Sequence, residues 1–537
     1  MDIRPASVLI AGGGPVGLGL AIELGQRGTR TLVVERNPQV HRVPKGQNLT
    51  QRSMEHFRAW GCESELRAAR PIPPEYGIGG LTAYGTLLGQ YHYDWLQREL
   101  VRPFYATDNE RLPQYETERV LRERAAQLEA VEILYGWTAS DAEQNGDGVR
   151  LRVRREEDGE AHWLTADYLV GCDGSRSAVR ESAGIGQTVL DHDKRMVLLV
   201  LRSQQLHELL GRFAGKSFFN ILPPRLQGYW QFLGRVDLGT RWFFHAPVPP
   251  QAAHEDFDFA ACLHEAVGAP FDFELEHIGF WDLRFANAEA YSSGRVFIAG
   301  DAAHSHPPYG GYGINLGFED ARNLGWKLAA TIEGWGGPSL LDSYGEERRA
   351  IFASTATDFI NRLINDDRRF LEAFDPEVDR AAFEQEWARR AGGARTDVGA
   401  YAPHYSGSPV VWSAQGSKSD AKGGHDFRAR AGHHLAPLPS SGETTTLDSL
   451  GSGFTLLNVD GDPQWIDAFA AAASSLGIPL DIADLGEAGS SYRAAMILVR
   501  PDGFVAWAAD GRIEEPVEVL LRATGGGSAN ASSARAA

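Results

Sequence analysis

Cysteine is scarce: Cys62, Cys172 and Cys262 are the only three in 537 residues. They are widely spaced and form neither a CxxC pair nor a metal-ligand pattern. That excludes a disulfide scaffold, dithiol redox chemistry and a cysteine zinc site, and no metal is expected. No uninterrupted apolar run approaches the roughly 20 residues of a membrane span. Basic charge is also short, with 52 lysines and arginines against 71 acidic residues. The resulting net charge of −19 disfavours nucleic acid or an anionic membrane as partner. The chain runs into its first strand with no signal peptide ahead of it, so a cytoplasmic protein is expected. Its length allows two or three domains with sizeable cores.

What the chain does have is concentrated first in Val8 to Arg36, VLIAGGGPVGLGLAIELGQRGTRTLVVER. The pattern is a buried strand, a glycine turn, an amphipathic helix and a second strand ending on an acid. Within Gly12-x-Gly14-Pro15-Val16-Gly17, Gly12 permits the tight turn and Gly14 lets a pyrophosphate approach the backbone. Gly17 lets the helix pack closely on the strand, and the helix N-terminus offers free N–H groups to phosphate. Glu35, followed by Arg36, closes the second strand where a carboxylate accepts ribose hydroxyls. An acid there leaves no place for a 2′-phosphate, which favours FAD or NAD over NADP at this site.

A loop with Arg42, Lys45, Gln47 and Asn48 then leads to a helix from about Arg52 to Trp60. Gly77 to Tyr105 alternates apolar and polar residues and predicts antiparallel strands. Leu112 to Gln127 predicts a helix, and Val131 to Val153 two or three strands with a hairpin turn at Asn145–Gly148. Tyr168 to Cys172 predicts a buried strand ending at Asp173-Gly174, before a helix carrying Ser175, Ser177 and Arg180. From Met196 to Pro247 the aromatic-rich segments FFNILPP, YWQFLGRV and RWFFHAPV predict a mostly antiparallel sheet over a pocket. A third signature spans Gly294 to Ile332: strand Val296–Ala299 delivers Gly300-Asp301, and a Pro- and Gly-rich loop precedes a helix starting near Asn315. Charged helix continues to about Arg390. Residues 391–443 are expected as a linker and 523–537 as a disordered tail. Between them, 444–522 predicts a small β-α-β-β domain.

The three signatures together resemble the single-component flavin aromatic hydroxylases, the family of para-hydroxybenzoate and phenol hydroxylases. They are GxGxxG with Glu35, Cys172-Asp173-Gly174-Ser175, and Gly300-Asp301-Ala302-Ala303-His304. Arg500-Pro501-Asp502-Gly503 resembles the thioredoxin-like C-terminal domain of the phenol and polyketide hydroxylase branch. The resemblance implies an α/β fold: a Rossmann-like FAD-binding domain (about 1–75, 106–185 and 286–390) interleaved with a mostly antiparallel substrate-covering sheet (about 76–105 and 186–285). A thioredoxin-like domain follows at 444–522.

The resemblance also implies site residues. Gly12, Gly14 and Gly17, with Pro15 and Val16 between them, hold the FAD pyrophosphate, Glu35 and Arg36 flank the adenine ribose, and Lys45 lies near the phosphates. Gln114 contacts the FAD chain, Asp173 serves FAD and nicotinamide, and Gly300-Asp301 binds the ribityl or ribose side. Gly311, Gly313, Ile314 and Asn315 lie beneath the isoalloxazine. Gln47, Pro308 and Tyr229 are the candidates for positioning the reacting ring, with Gln231, Arg225, His245 and Arg284 on the same sheet; no base is assigned. The implied reaction uses NADPH or NADH to reduce FAD. Dioxygen then adds as a C(4a)-hydroperoxide, and a hydroxyl passes to an electron-rich ring. The partners are thus a small aromatic substrate and O2, in a chain expected to form a homodimer, with neither nucleic acid nor membrane. An epoxidase or oxidase of the same superfamily, or a non-catalytic flavoprotein module, shares these signatures.

Overall fold

In the computed structural model, which describes residues 5–76, 79–252, 257–440, 444–509 and 515–526, strand Val8–Ala11 lies inside a six-stranded sheet. Its neighbours are Tyr168–Gly171 on one side and Thr31–Glu35 on the other, both parallel to it. Val296–Ile298 pairs parallel beyond Tyr168–Gly171, and Val131–Tyr135 beyond Thr31–Glu35. Every residue of Val8–Ala11 and Thr31–Glu35 is buried, as strands covered on both faces require. Because the three signature strands are adjacent and parallel, their C-terminal ends meet at one sheet edge. Gly12, Cys172-Asp173 and Gly300-Asp301 therefore come together from distant parts of the sequence. Helix Pro15–Gln26 packs directly on the long helix Gly313–Glu333.

The second layer is an eight-stranded sheet. Its strands come from Gly80–Tyr84, His92–Trp95, Gln187–Arg202, Phe218–Leu222, Gln231–Arg235, Arg241–Val248, Glu274–Ala288 and His304–Ser305. All neighbours are antiparallel except Phe218–Leu222 with Gly80–Tyr84. Period-two alternation sorts its side chains. Leu199, Leu201, Phe219, Ile221, Leu233 and Phe244 pack under helix Phe259–Val267. Leu198, Phe218, Phe232 and Phe243 belong to a second core on the other face.

The C-terminal unit has the sheet order Leu480–Asp484, Phe454–Asn458, Met496–Val499, Val505–Ala508. The first pair is parallel and joined by helix Pro463–Leu476; the other two pairings are antiparallel. Helix Pro516–Ala523 closes it, giving the thioredoxin-like layout. A fully buried ionic cluster docks this unit. Arg500 donates to both oxygens of Glu347 (2.6 and 3.0 Å) and to Asp502, while Lys327 reaches Glu347 at 2.8 Å. Trp326 Nε1 donates to Asp502 (3.1 Å) and Ser408 to Glu347 (2.6 Å). Burial alone would raise the Glu347 carboxyl, but Arg500 and Lys327 outweigh it and hold the group well below the usual carboxylate range.

Four expectations are corrected. Arg98–Phe104 forms a 3-10 helix rather than a strand, since Arg98 and Val101, three apart, share its buried face. Ser175 precedes the helix assigned to it: that helix is Ala178–Ser182, and Ser177 caps it by accepting from Arg180 N–H. The described residues of the expected linker, 391–440, are built into the fold. They carry the end of helix Arg380–Ala400, the ribbon Tyr401–His404 with Asp420–Lys422, and the buried Tyr405, Val410, Val411, Ala421 and Leu435. Tyr405 stacks on Phe504 and receives a bond from Arg348, which fastens the segment to both flanking units. The start of the expected tail is packed: Ala523 and Thr524 are buried, and Gly337 N–H donates to the Thr524 carbonyl. Residues 527–537 lie outside the described residues. Among the described residues no helix is long and apolar enough to cross a membrane, and no acid, His and Cys cluster forms a metal site.

Candidate active site

At the edge where the three signature strands end, a cleft of about 800 Å³ runs from the glycine turn to the aromatic face of the second sheet. Its near wall includes Gly14, Pro15, Val16, Cys172, Gly174, Gly300 and Asp301. The three glycines of the turn differ in what surrounds them. Gly12 has φ +104°, and a Cβ there would lie 2.3 Å from the Cys172 carbonyl oxygen. A Cβ on Gly17 would lie 2.0 Å from the Gly12 oxygen, whereas one on Gly14 meets nothing within 4 Å. Gly12 and Gly17 are thus required by the protein's own packing, and Gly14 opens the space that a pyrophosphate needs.

Two helix N-termini face this cleft. Neither Pro15–Gln26 nor Gly313–Glu333 has a side-chain cap or an acid in its first turn, so both leave N–H groups and positive dipole ends open to an anion. Gly313, Ile314, Gly311 and Pro308 line the middle of the cleft, with Gln114 and Lys45 opposite. Gln114 Oε1 accepts Gly46 N–H (3.2 Å), fixing the Lys45–Asn48 loop against the wall. An open glycine cradle, two uncapped helix ends and a cation along one cleft fit a flavin dinucleotide.

Other sequence candidates serve as scaffold. Glu35 accepts the N–H groups of Gly13 and Asn37, each at 2.7 Å, at the end of its strand. Arg36 is exposed and does not line the cleft. The Asp173 carboxylate accepts from Ser177 Oγ (2.5 Å) and Val179 N–H (3.2 Å), holding the next helix. Burial raises its carboxyl against the pull of these bonds. Asn315 accepts from Thr50 N–H (2.9 Å) and Ser53 Oγ (2.6 Å) and donates to Asn48 and Gly311 carbonyls (2.9 and 2.6 Å). It ties the Gly311 turn to the Gln47 loop. Asp320, one helical turn further on, accepts from Gly300 N–H (2.9 Å) and pairs with Arg348 and His304, both at 2.7 Å. It anchors the Gly300-Asp301 turn.

The far end of the cleft is aromatic. Phe218, Phe232, Phe243, Phe280 and Trp281 line it with Leu198, His245 and Gly279. Cross-strand register puts Phe232, His245, Leu198 and Gly279 in one row, because Phe232 pairs with His245, His245 with Leu198 and Leu198 with Gly279. Burial pushes the His245 imidazole down to about 4, so it is neutral at neutral pH, with Nδ1 unpartnered. His306 is also pushed down to about 4 by burial, against the Pro307 carbonyl that meets its Nδ1 at 2.6 Å. A carbonyl only accepts, so Nδ1 carries the proton, and Nε2 is a buried acceptor without a partner. Gln47 and Pro308 also line this cleft.

Tyr229 does not join them. It precedes strand Gln231–Arg235, and its ring meets Lys194 (5.1 Å), Arg368 (5.6 Å) and Trp230 (6.3 Å) outside the cleft lining. Arg225 pairs with the exposed Glu265, Gln231 donates to Cys262 Sγ, and Arg284 is likewise absent from the lining. Sequence reasoning did not single out Phe218, Phe232 or Phe243; alternation along Phe218–Leu222, Gln231–Arg235 and Arg241–Val248 was the available signal for them.

A family model described as "FAD binding domain" matches residues 5–359, and one described as "Aromatic-ring hydroxylase, C-terminal" matches 428–526. A putative polyketide hydroxylase of Streptomyces halstedii is 32% identical over 96% of this chain and 94% of its own length. A 4-methyl-5-nitrocatechol 5-monooxygenase of a Burkholderia species is 31% identical, over 96% of each chain. Among solved structures, the rebeccamycin biosynthetic enzyme RebC with reduced flavin aligns with TM-score 0.85 and 28% identity, covering 98% of this chain and all (100%) of that one. The flavin-dependent monooxygenase PieE, in complex with FAD and substrate, aligns with TM-score 0.84 and 26% identity over 98% of this chain and 99% of that one. With its glycine cradle, uncapped helix ends and aromatic chamber on one cleft, the chain belongs to the FAD-dependent aromatic-ring hydroxylases, a family of flavoprotein monooxygenases.

Proposed function

We propose that this enzyme uses NADPH or NADH and O2 to hydroxylate a phenolic or related electron-rich aromatic ring, in the size range from a catechol to a fused polyketide. The observation that carries this reading is the continuity of one cleft, from the open Gly14 cradle past Gln47 and Pro308 to the wall of Phe218, Phe232, Phe243 and Trp281. When bound, FAD supplies the reductive activation of dioxygen, which no side chain provides.

The chain's own residues bind, orient and exclude water. The two uncapped helix ends favour negative charge on phosphate and along the electron-rich edge of the flavin ring. The aromatic wall orients a planar substrate by stacking and keeps water from the reacting centre. Gln47 and His306 are polar residues in the same lining. With His245 and His306 both neutral at pH 7, no strong acid stands at the reacting ring. The family relatives' names point to fused or substituted phenols, and the cleft's aromatic lining suits both.

The test is NADH and NADPH oxidation by the purified yellow protein across simple phenols, catechols and aromatic polyketides, with product mass. A compound that speeds flavin reduction and gains one oxygen supports the proposal. Reduction that no aromatic stimulates, or that yields only peroxide, contradicts it.

A further inference from the structure

A second cavity lies beside the stretch Gly310 to Asn315, apart from the flavin cleft, and the reaction proposed above does not use it. Gly311, Gly313 and Ile314 line the cleft, whereas Tyr312, Asn315 and Leu316 line this cavity, and the two share no residue. It holds about 90 Å³, the liquid volume of roughly three water molecules. Its walls are mostly apolar, with Val101, Phe104, Tyr312, Leu316, Tyr401 and Phe504 among them.

Four arginines and two carboxylates are set into those walls: Arg52, Arg98, Arg348 and Arg430 with Glu319 and Asp426. The carboxylates are already committed. Glu319 pairs with Arg52 at 3.0 Å, and Asp426 with Arg428 at 2.5 Å. Arg348 pairs with Asp320 at 2.7 Å, behind the lining. Among the described residues no carboxylate pairs with Arg98 or Arg430. Arg98 is 5% exposed and lies over the Tyr312 and Tyr401 rings, at 5.5 and 6.0 Å. Its bond to the Gly310 carbonyl is long, at 3.4 Å. Arg430 donates to the Gly424 carbonyl (2.6 Å), and its Nε is buried without a partner.

Both guanidiniums act on one neighbour in the same lining. His425 meets the Gly399 carbonyl through Nδ1 and the Tyr105 hydroxyl through Nε2, each at 3.1 Å. Burial, with His434, Arg98 and Arg430 adding, pushes its imidazole down to about 4 against the Gly399 carbonyl, so it brings no further charge at neutral pH. The cavity therefore carries an excess of positive charge in an apolar surround. Unpaired cations there are costly, and a bound anion offsets that cost. A guanidinium matches the two oxygens of a carboxylate, and the apolar wall favours an anion with an alkyl end over an inorganic one.

We propose that this cavity is a binding site for a short-chain organic monocarboxylate, held by Arg98 and Arg430 with its alkyl end against Val101, Leu316 and Phe504. The volume limits the occupant to a few heavy atoms. The site is separate from the place of the reacting ring, so it stands whichever aromatic compound is hydroxylated.

The experiment is calorimetric titration of the protein saturated with FAD, in a buffer free of carboxylate and chloride and at one ionic strength. Butyrate is the test compound. Butyramide has its shape without the charge, and chloride has the charge without the alkyl end. The parent is expected to bind one butyrate per chain, and butyramide and chloride each about tenfold more weakly or worse. Arg98→Met keeps the apolar stem and removes the cation, and it should weaken butyrate by about tenfold or more, with Arg98→Lys retaining part of the affinity. Arg430→Gln is the second variant, at a half-buried position less exposed to folding defects. It should weaken butyrate by about threefold or more and leave butyramide unchanged. No butyrate binding by the parent, butyramide or chloride bound as tightly, or undiminished butyrate binding by a folded Arg98→Met or Arg430→Gln variant would overturn the proposal.

Discussion

Replacing Gly14 with alanine adds one methyl group where φ −74° and ψ −178° suit any residue and no atom lies within 4 Å. The protein without flavin should therefore fold as before. It should even gain about 0.4–1 kcal/mol, because alanine has fewer unfolded conformations to lose than glycine. Gly17→Ala is the contrast, since its Cβ would fall 2.0 Å from the Gly12 oxygen. Separating helix from strand there is an overpacking cost of about 1–3 kcal/mol or more. Toward FAD the order changes. The Gly14 methyl occupies the face on which the pyrophosphate must approach the helix N-terminus, so an overpacking cost of about 1–3 kcal/mol falls on binding alone and raises Kd about 5- to 150-fold. Thermal unfolding of the flavin-free protein and quenching of flavin fluorescence on titration measure the two effects separately. A Gly14→Ala variant that binds FAD as tightly as the parent, or unfolds as readily as Gly17→Ala, would refute the reasoning.

Arg500→Met leaves Glu347 and Asp502 buried without their main partner, and a loss of about 3–5 kcal/mol is expected in calorimetric unfolding. An unchanged melting temperature would show that the ionic cluster does not hold the C-terminal unit in place. Asn315→Leu removes the bonds to Asn48, Thr50, Ser53 and Gly311. At about 1 kcal/mol for each bond lost, FAD affinity should fall by tenfold or more as the loop under the flavin loosens, and equilibrium dialysis reads this directly. His245 is held down to about 4 against an ordinary 6.5, so the unfolded chain takes up its proton first. Its contribution is fully present above about pH 6.5 and lost as pH falls toward 4, by up to about 3 kcal/mol. Urea unfolding of His245→Gln across that range should show a shallower acid decline, and parallel curves for variant and parent would contradict the assignment.

The part of the fold legible in the sequence is the part encoded locally. Short, wholly apolar strands followed by glycine or Asp-Gly punctuation placed three loops at one sheet edge, because parallel strands end together. The β-α-β-β spacing after Thr444 likewise foretold a small α/β unit. What stayed hidden depends on pairing between distant residues. Glu347 and Arg500 look like ordinary surface charges until the C-terminal unit is docked, and Tyr405 looks like loop until it stacks on Phe504. Arg98–Phe104 continues a stretch that alternates like strands, yet its own buried positions, Arg98 and Val101, are three residues apart. At the site, the backbone-driven features were readable: the glycine turn and the helix ends need no partner beyond their own segment. Tyr229 was misplaced because it precedes strand Gln231–Arg235, so the alternation of the sheet does not reach it.

The central claim is that this cleft carries out monooxygenation of an aromatic ring, and incorporation of oxygen from labelled gas tests it most directly. The FAD-loaded enzyme is supplied with NADH or NADPH, oxygen-18 gas and an aromatic compound that stimulates flavin reduction, and the product is weighed by mass spectrometry. One labelled oxygen atom on the ring, with a matching turnover of reduced nicotinamide, is the predicted result. Labelled hydrogen peroxide with an unchanged ring would contradict it and leave an oxidase.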